Sequence, residues 1–191
     1  MLTIRDLSKT YANGVHDGNA YTSLIVDHYG LVSGAKRVAE RFTVHGSSRT
    51  VSTASIRLKR IKGSGTITIR LEKSTGALVA TGTVSSTHIP ISPLPVPVDG
   101  VHWDETSLGG GRWVKASFGK SVTLRSGSTY ILKISTASST VLAAVPVREQ
   151  DDTTPHWRSR AFRDGYAQYT TGSTWKALYA YGPADLQFYL R

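Results

Sequence analysis

The residues with the most chemical potential in this 191-residue chain are aromatic rings set beside arginines. Trp157 is followed by Arg158, Arg160 and Arg163, and Tyr166 and Tyr169 come just after the turn signal Asp164-Gly165. Trp103 lies in a proline- and glycine-rich stretch, and Trp113 falls on the non-core side of an alternating segment. A ring offers an apolar face, and a guanidinium offers a planar fork of donors that fits a carboxylate. Rings can stack on the C–H faces of a sugar while arginines pair with its acidic groups. These eight residues are therefore the candidate ligand-binding set, for a polar or acidic ligand. Trp175, Phe162, Phe188 and Tyr130 are expected in the core.

Other chemistries find less support. The chain has no cysteine, which excludes disulfides, thiolate nucleophiles and cysteine zinc sites. No Gly-x-Ser-x-Gly elbow occurs, and Asp27-His28 are neighbours that a strand would turn to opposite faces. Hydrolysis of a glycosidic bond needs two carboxylates at a defined separation. Asp104, Glu105, Glu149, Asp151, Asp152 and Asp164 are nearly all in loop-like stretches, and no pair stands out. A lyase site drawn from His156, Arg158 and Tyr166 is a weaker alternative. The six histidines show no His-x-x-x-His or His-Glu-x-x-His spacing. Asp151, Asp152 and Asp185 are the one candidate metal set, for a structural calcium held with backbone carbonyls. No catalytic residue is assigned, no cofactor is expected, and the balance is against an enzyme.

Lysine and arginine number 23 against 13 acids, a formal charge of +10. That excess favours polyanions as partners. The plainer reading is a solubility charge spread over both faces, since acids are interspersed among the bases. No run approaches the ~18 apolar residues of a membrane helix, and the opening MLTIRDLSKTY has no apolar leader core.

The elements that must position these residues read as strands. Residues 1–37 are the least regular, with Thr22 to Asp27 as a buried strand, a turn at Ser33–Lys36 and a helical turn or two within Val32 to Glu40. From Val38 the pattern has period two. Strands are expected at Val38–His45, Val51–Ile61, Thr66–Lys73, Ala77–Val84, Arg112–Phe118, Ser121–Leu124, Thr129–Thr136, Thr140–Arg148 and, last, Asp185–Leu190. Turns fall at Lys62–Gly65 and Ser74–Gly76. Residues 87–111 hold four prolines and a Gly109–Gly111 run, which central strands do not tolerate. The expectation is a single all-β domain over 1–191, an antiparallel β-sandwich.

The segments RFTV, GTITIRL, ATGTV, WVKASF, VTLRSGSTY and the closing STW and DLQF resemble jelly-roll accessory domains of bacterial extracellular glycan-active proteins, which are similar to carbohydrate-binding modules. The resemblance covers about Val38 to Arg191. It implies a jelly-roll sandwich without catalysis that binds polysaccharide, here acidic or polar, or supports a neighbouring catalytic domain in a longer secreted protein. Two other classes stand beside it: a sandwich lyase or hydrolase, and a structural or adhesion module that makes protein contacts. Single-stranded nucleic acid ranks below polysaccharide, because no recognised nucleic-acid motif is present. No membrane partner is expected.

Overall fold

The computed structural model describes residues 30–91, 112–144, 146–147, 149–150, 157–158, 165–177, 185–186 and 188–191. The body is built from β1 (Gly30–Val32), β2 (Arg37–Thr43), β3 (Arg49–Lys62), β4 (Thr66–Lys73), β5 (Leu78–Ser85), β6 (Arg112–Leu124), β7 (Thr129–Thr136) and β8 (Val141–Ala144). Short segments follow: β9 (Pro146–Val147), β10 (Glu149–Gln150), β11 (Trp157–Arg158), β12 (Gly165–Thr170), β13 (Lys176–Ala177), β14 (Asp185–Leu186) and β15 (Phe188–Leu190). Strands β4 and β7 span the residues that their alternation predicts.

The strands form an all-β antiparallel sandwich. One sheet runs β1-β8-β3-β15 with β6 on the other edge of β3, and the second runs β13-β12-β2-β7-β4-β5. Strand β8 pairs the end of β3 from Leu58 to Lys62, while β15 pairs Ala54 to Ile56 on the same edge, so the two lie end to end. The body nests its pairs: β1 with β8, β2 with β7, β3 with β6 and β4 with β5. This pairing is compatible with a jelly roll, and it is complete by Ala144. The later segments extend it: β12 is added beside β2, and β15 fills the rest of the β3 edge.

Several expectations need correction. No helical turn forms within Val32–Glu40; the turn at Ser33–Lys36 leads directly into β2, and Gly34 takes a φ of 59° there. Within the N-terminal stretch expected to be irregular, Gly30–Val32 is a strand paired with β8. The two strands expected within 112–124 are one, because the break at Gly119-Lys120 is a bulge. Val51 faces Val122 but Thr53 faces Ser117, so β6 carries the extra residues. The Thr140–Arg148 strand divides into β8 and β9, and Asp185–Leu190 divides between a ribbon with β9 and the first sheet. At the start of the 87–111 stretch, Ser86–His88 is a single 3-10 turn and Ile89 is buried. The Thr22–Asp27 strand, Asp27-His28 and Phe162 lie outside the described residues.

The inward sides of the two sheets carry the alternating apolar positions, including Ile56, Leu58, Val114 and Ala116 from one and Phe42, Ile67, Ile69 and Leu132 from the other. Phe42 meets Phe188 across the sandwich at 5.5 Å and its own neighbour Tyr130 at 6.0 Å. Edge strands β5 and β6 close one side. A Cβ at Gly82 would stand 3.1 Å from the Ala116 Cβ and would collide with the Ser117 carbonyl. Beside the β9–β14 ribbon, the buried Glu40 shares the inward side with Val38 and Phe42, and its Oε2 accepts the Leu186 N–H at 2.9 Å. That bond ties the late ribbon to the body.

Lys59 alternates outward on β3 yet is only 3% exposed. Burial holds its ammonium below the ordinary lysine value of 10.5. The unfolded chain therefore keeps that proton to higher pH than the folded one. The cost of burying the charge is fully present below the folded value and is relieved as pH rises towards 10.5. Denaturant titrations at about pH 8 and about pH 10 should show the wild type gaining stability relative to Lys59→Met. A pH-independent difference would contradict this.

Candidate functional site

The outward side of the first sheet carries a row of rings and cations. In the β3–β6 register Arg57 faces Trp113 and Ser55 faces Lys115, and on the other side of β3 Ser55 faces Tyr189. Alternation explains the row. With Ala54, Ile56, Val114, Phe188 and Leu190 turned inward, Ser55, Arg57, Trp113, Lys115 and Tyr189 must turn outward.

Strands β6 and β15 flank β3, and Trp113 faces Arg57 while Tyr189 faces Ser55, so their roots are roughly 12 Å apart at ~4.8 Å per strand spacing and ~3.3 Å per residue. Their ring centroids are only 5.2 Å apart, tilted by 58°. The two rings therefore lean towards each other over β3. Ser55 beneath them has no solvent exposure, and its hydroxyl has no hydrogen-bond partner among the described residues. Trp113 keeps 37% of its surface exposed. The Arg191 guanidinium lies over the Tyr189 ring at 4.9 Å. The Arg191 carbonyl accepts from the Ser52 and Thr53 N–H groups at 2.5 and 2.7 Å, which holds Arg191 on β3.

The row thus offers an exposed indole face, a second ring and the cations of Arg57, Lys115 and Arg191. Of the described acidic side chains, Glu40 points into the core and Glu72 belongs to the other sheet. Such a surface can stack an apolar ligand face and attract an anionic group.

The outward side of the six-stranded sheet also carries rings, and its Glu72 is paired with two of its cations. The Glu72 carboxylate meets Lys133 at 2.6 Å and Arg70 at 3.2 Å, and Lys133 lies 5.7 Å from the Trp175 ring centroid. Tyr166 is on this side, opposite Arg41, and its hydroxyl accepts from Gln168 at 3.4 Å.

The members of the expected ligand set whose side chains are described, Trp113, Tyr166 and Tyr169, fall on different faces. Trp113 is exposed, as expected from its strand. Tyr166 lies on the outward side of the other sheet, and Tyr169 turns the opposite way and packs against the core, because a spacing of three in a strand reverses the face. Trp157 and Arg158 form β11, opposite Gln150 and Glu149 of β10. Trp103, Arg160 and Arg163 lie outside the described residues. Of the core expectations, Tyr130 and Phe188 are buried, but Trp175 is only half-buried and sits at the surface near Lys133. Sequence reasoning missed Tyr189 and Arg191. The signal was present in the alternation Phe188-Tyr189-Leu190.

Of the calcium set, Asp185 pairs with Val147 in the ribbon, and Asp151 and Asp152 lie outside the described residues. Among the described residues, no three His, Asp or Glu side chains stand together as a metal site, and no helix is long and apolar enough to cross a membrane. No family model matches this chain, and no curated protein matches it.

Proposed function

We propose that this chain is a carbohydrate-binding accessory module, and that the Trp113–Tyr189 row holds an acidic polysaccharide. One observation carries the reading: two rings from strands on either side of β3 converge at 5.2 Å, with Arg191 over one of them and Arg57 and Lys115 alongside. The exposed indole face takes the C–H face of a sugar ring. The cations take carboxylates, in charge-assisted hydrogen bonds that a neutral glycan cannot supply. The net charge of +10 adds long-range attraction for the same polymer. A ligand of this kind fits a secreted parent protein in which the module holds a neighbouring catalytic domain on its substrate.

Native gels cast with polygalacturonate or with a neutral glucan test this at low salt. Retardation in the anionic gel, with the polymer's chain length unchanged, is the expected result. Equal mobility in every gel would overturn the reading. Shortening of the polymer would replace it with a lyase or hydrolase. Retardation abolished only by a single-stranded DNA competitor would move the ligand to nucleic acid.

A further inference from the structure

A second feature lies far from the ring row. At the other end of β6 a cleft of about 540 Å³ opens between the β4–β5 turn and the β6–β7 turn. Its lining residues include Lys73, Arg125, Thr75, Thr123, Ser128 and Tyr130. None of its lining residues is acidic. Trp113 faces Arg57 and Thr123 faces Thr50, seven residues apart on β3, about 23 Å at ~3.3 Å per residue. The cleft and the row are thus separate places.

The walls of the cleft are held by the fold. Tyr130 is 3% exposed, and its hydroxyl accepts the Arg125 N–H at 2.9 Å. That bond leaves the phenolic proton for an acceptor in the cleft. The turn backbones are fixed by Ser74 N–H to the Thr129 carbonyl at 3.1 Å and by Gly127 N–H to the Val44 carbonyl at 2.7 Å. Two cationic residues lining one concave space, with no acid among the lining residues, focus a positive potential there. The volume suits a small ligand, and the hydroxyl-rich wall suits one that is itself covered in hydroxyls.

We propose that this cleft binds one carboxylated sugar unit, its carboxylate on Lys73 and Arg125 and its hydroxyls on Thr123, Ser128 and Tyr130. The inference rests on the proposed polysaccharide reading for the class of ligand only. It makes the module two-sited, with the row gripping the length of a chain and the cleft taking a single acidic unit.

The test is a titration of the ¹⁵N-labelled chain with a trisaccharide of galacturonic acid, followed through the amide signals of Ser74, Gly127 and Ser128. These signals should move, and the methyl ester of the same trisaccharide should leave them in place. The Lys73→Gln/Arg125→Gln pair should weaken binding at least tenfold. The Lys62→Gln/Lys120→Gln pair removes the same charge elsewhere and should stay within twofold of wild type. Equal weakening by both pairs, unmoved cleft amides, or equal binding of the methyl ester would each overturn the proposal. Trp113→Ala should leave the cleft signals responsive, so failure of the row and failure of the cleft are read separately.

Discussion

Gly82→Val is expected to destabilise the fold by about 3 kcal/mol, the upper part of the usual range for overpacking. Gly82 is on β5, where the edge of the six-stranded sheet lies directly against the edge of the other sheet. Its missing side chain is what allows the approach. Even one carbon there would come 3.1 Å from the Ala116 Cβ and strike the Ser117 carbonyl. Neither obstacle is the free end of a flexible side chain. Ser117 is backbone within β6, paired with Thr53 of β3, and Ala116 is fully buried. Valine adds two more carbons, so β5 must move away from β6 and open the closed side of the sandwich. Thr83→Val, one position along on an exposed residue, should stay within about 0.5 kcal/mol of wild type. Urea denaturation of both variants checks the contrast, and a Gly82→Val protein of wild-type stability would show that β5 and β6 do not close the sandwich.

Phe188→Ala should cost about 4 kcal/mol, within the range for emptying a buried aromatic site. Phe188 is 1% exposed and meets Phe42 across the sandwich at 5.5 Å. It is the main inward anchor of a strand only three residues long. A two- or three-residue pairing gives little stability by itself, so β15 depends on what it buries. The same residue governs the site, because Tyr189 turns outward only while Phe188 and Leu190 turn inward. Phe188→Leu keeps an apolar anchor and should lose much less. Urea denaturation checks the stability, and the near-ultraviolet circular dichroism of Trp113 and Tyr189 reports the ring pair. A loss below about 1 kcal/mol from Phe188→Ala would place β15 outside the cooperative core.

Much of the sandwich is legible in the period-two stretches. Ile67, Ile69 and Leu71 against Thr68, Arg70 and Glu72 define both the extent and the faces of β4. Tyr130, Leu132 and Ile134 do the same for β7. The nesting of the pairs is not legible, because most of it joins residues far apart in the chain, up to the 114 positions between Gly30 and Ala144. The bulge at Gly119 reads as a turn from sequence, since a positive-φ glycine serves both. Lys59 and Trp175 show a different limit. Hydrophobicity alone assigns lysine to water and tryptophan to the core, but what covers a given face decides their burial, and that is set by the tertiary fold. The candidate site was half visible. Trp113 followed from its alternation, while Tyr189 and Arg191 were hidden in a stretch whose neighbours looked like core. Tyr166 and Tyr169 looked like one pair until the strand separated them to opposite faces.

The affinity of wild type and of Trp113→Ala for polygalacturonate, measured by calorimetry at low salt, tests the central claim most directly. The indole is exposed at the surface, so the variant should remain folded, which far-ultraviolet circular dichroism verifies. Loss of the stacking face should weaken binding by about tenfold or more, equivalent to ~1.4 kcal/mol, and Trp113→Phe should recover part of it. A folded Trp113→Ala protein that binds the polymer as tightly as wild type would contradict the assignment of the Trp113–Tyr189 row as the binding face.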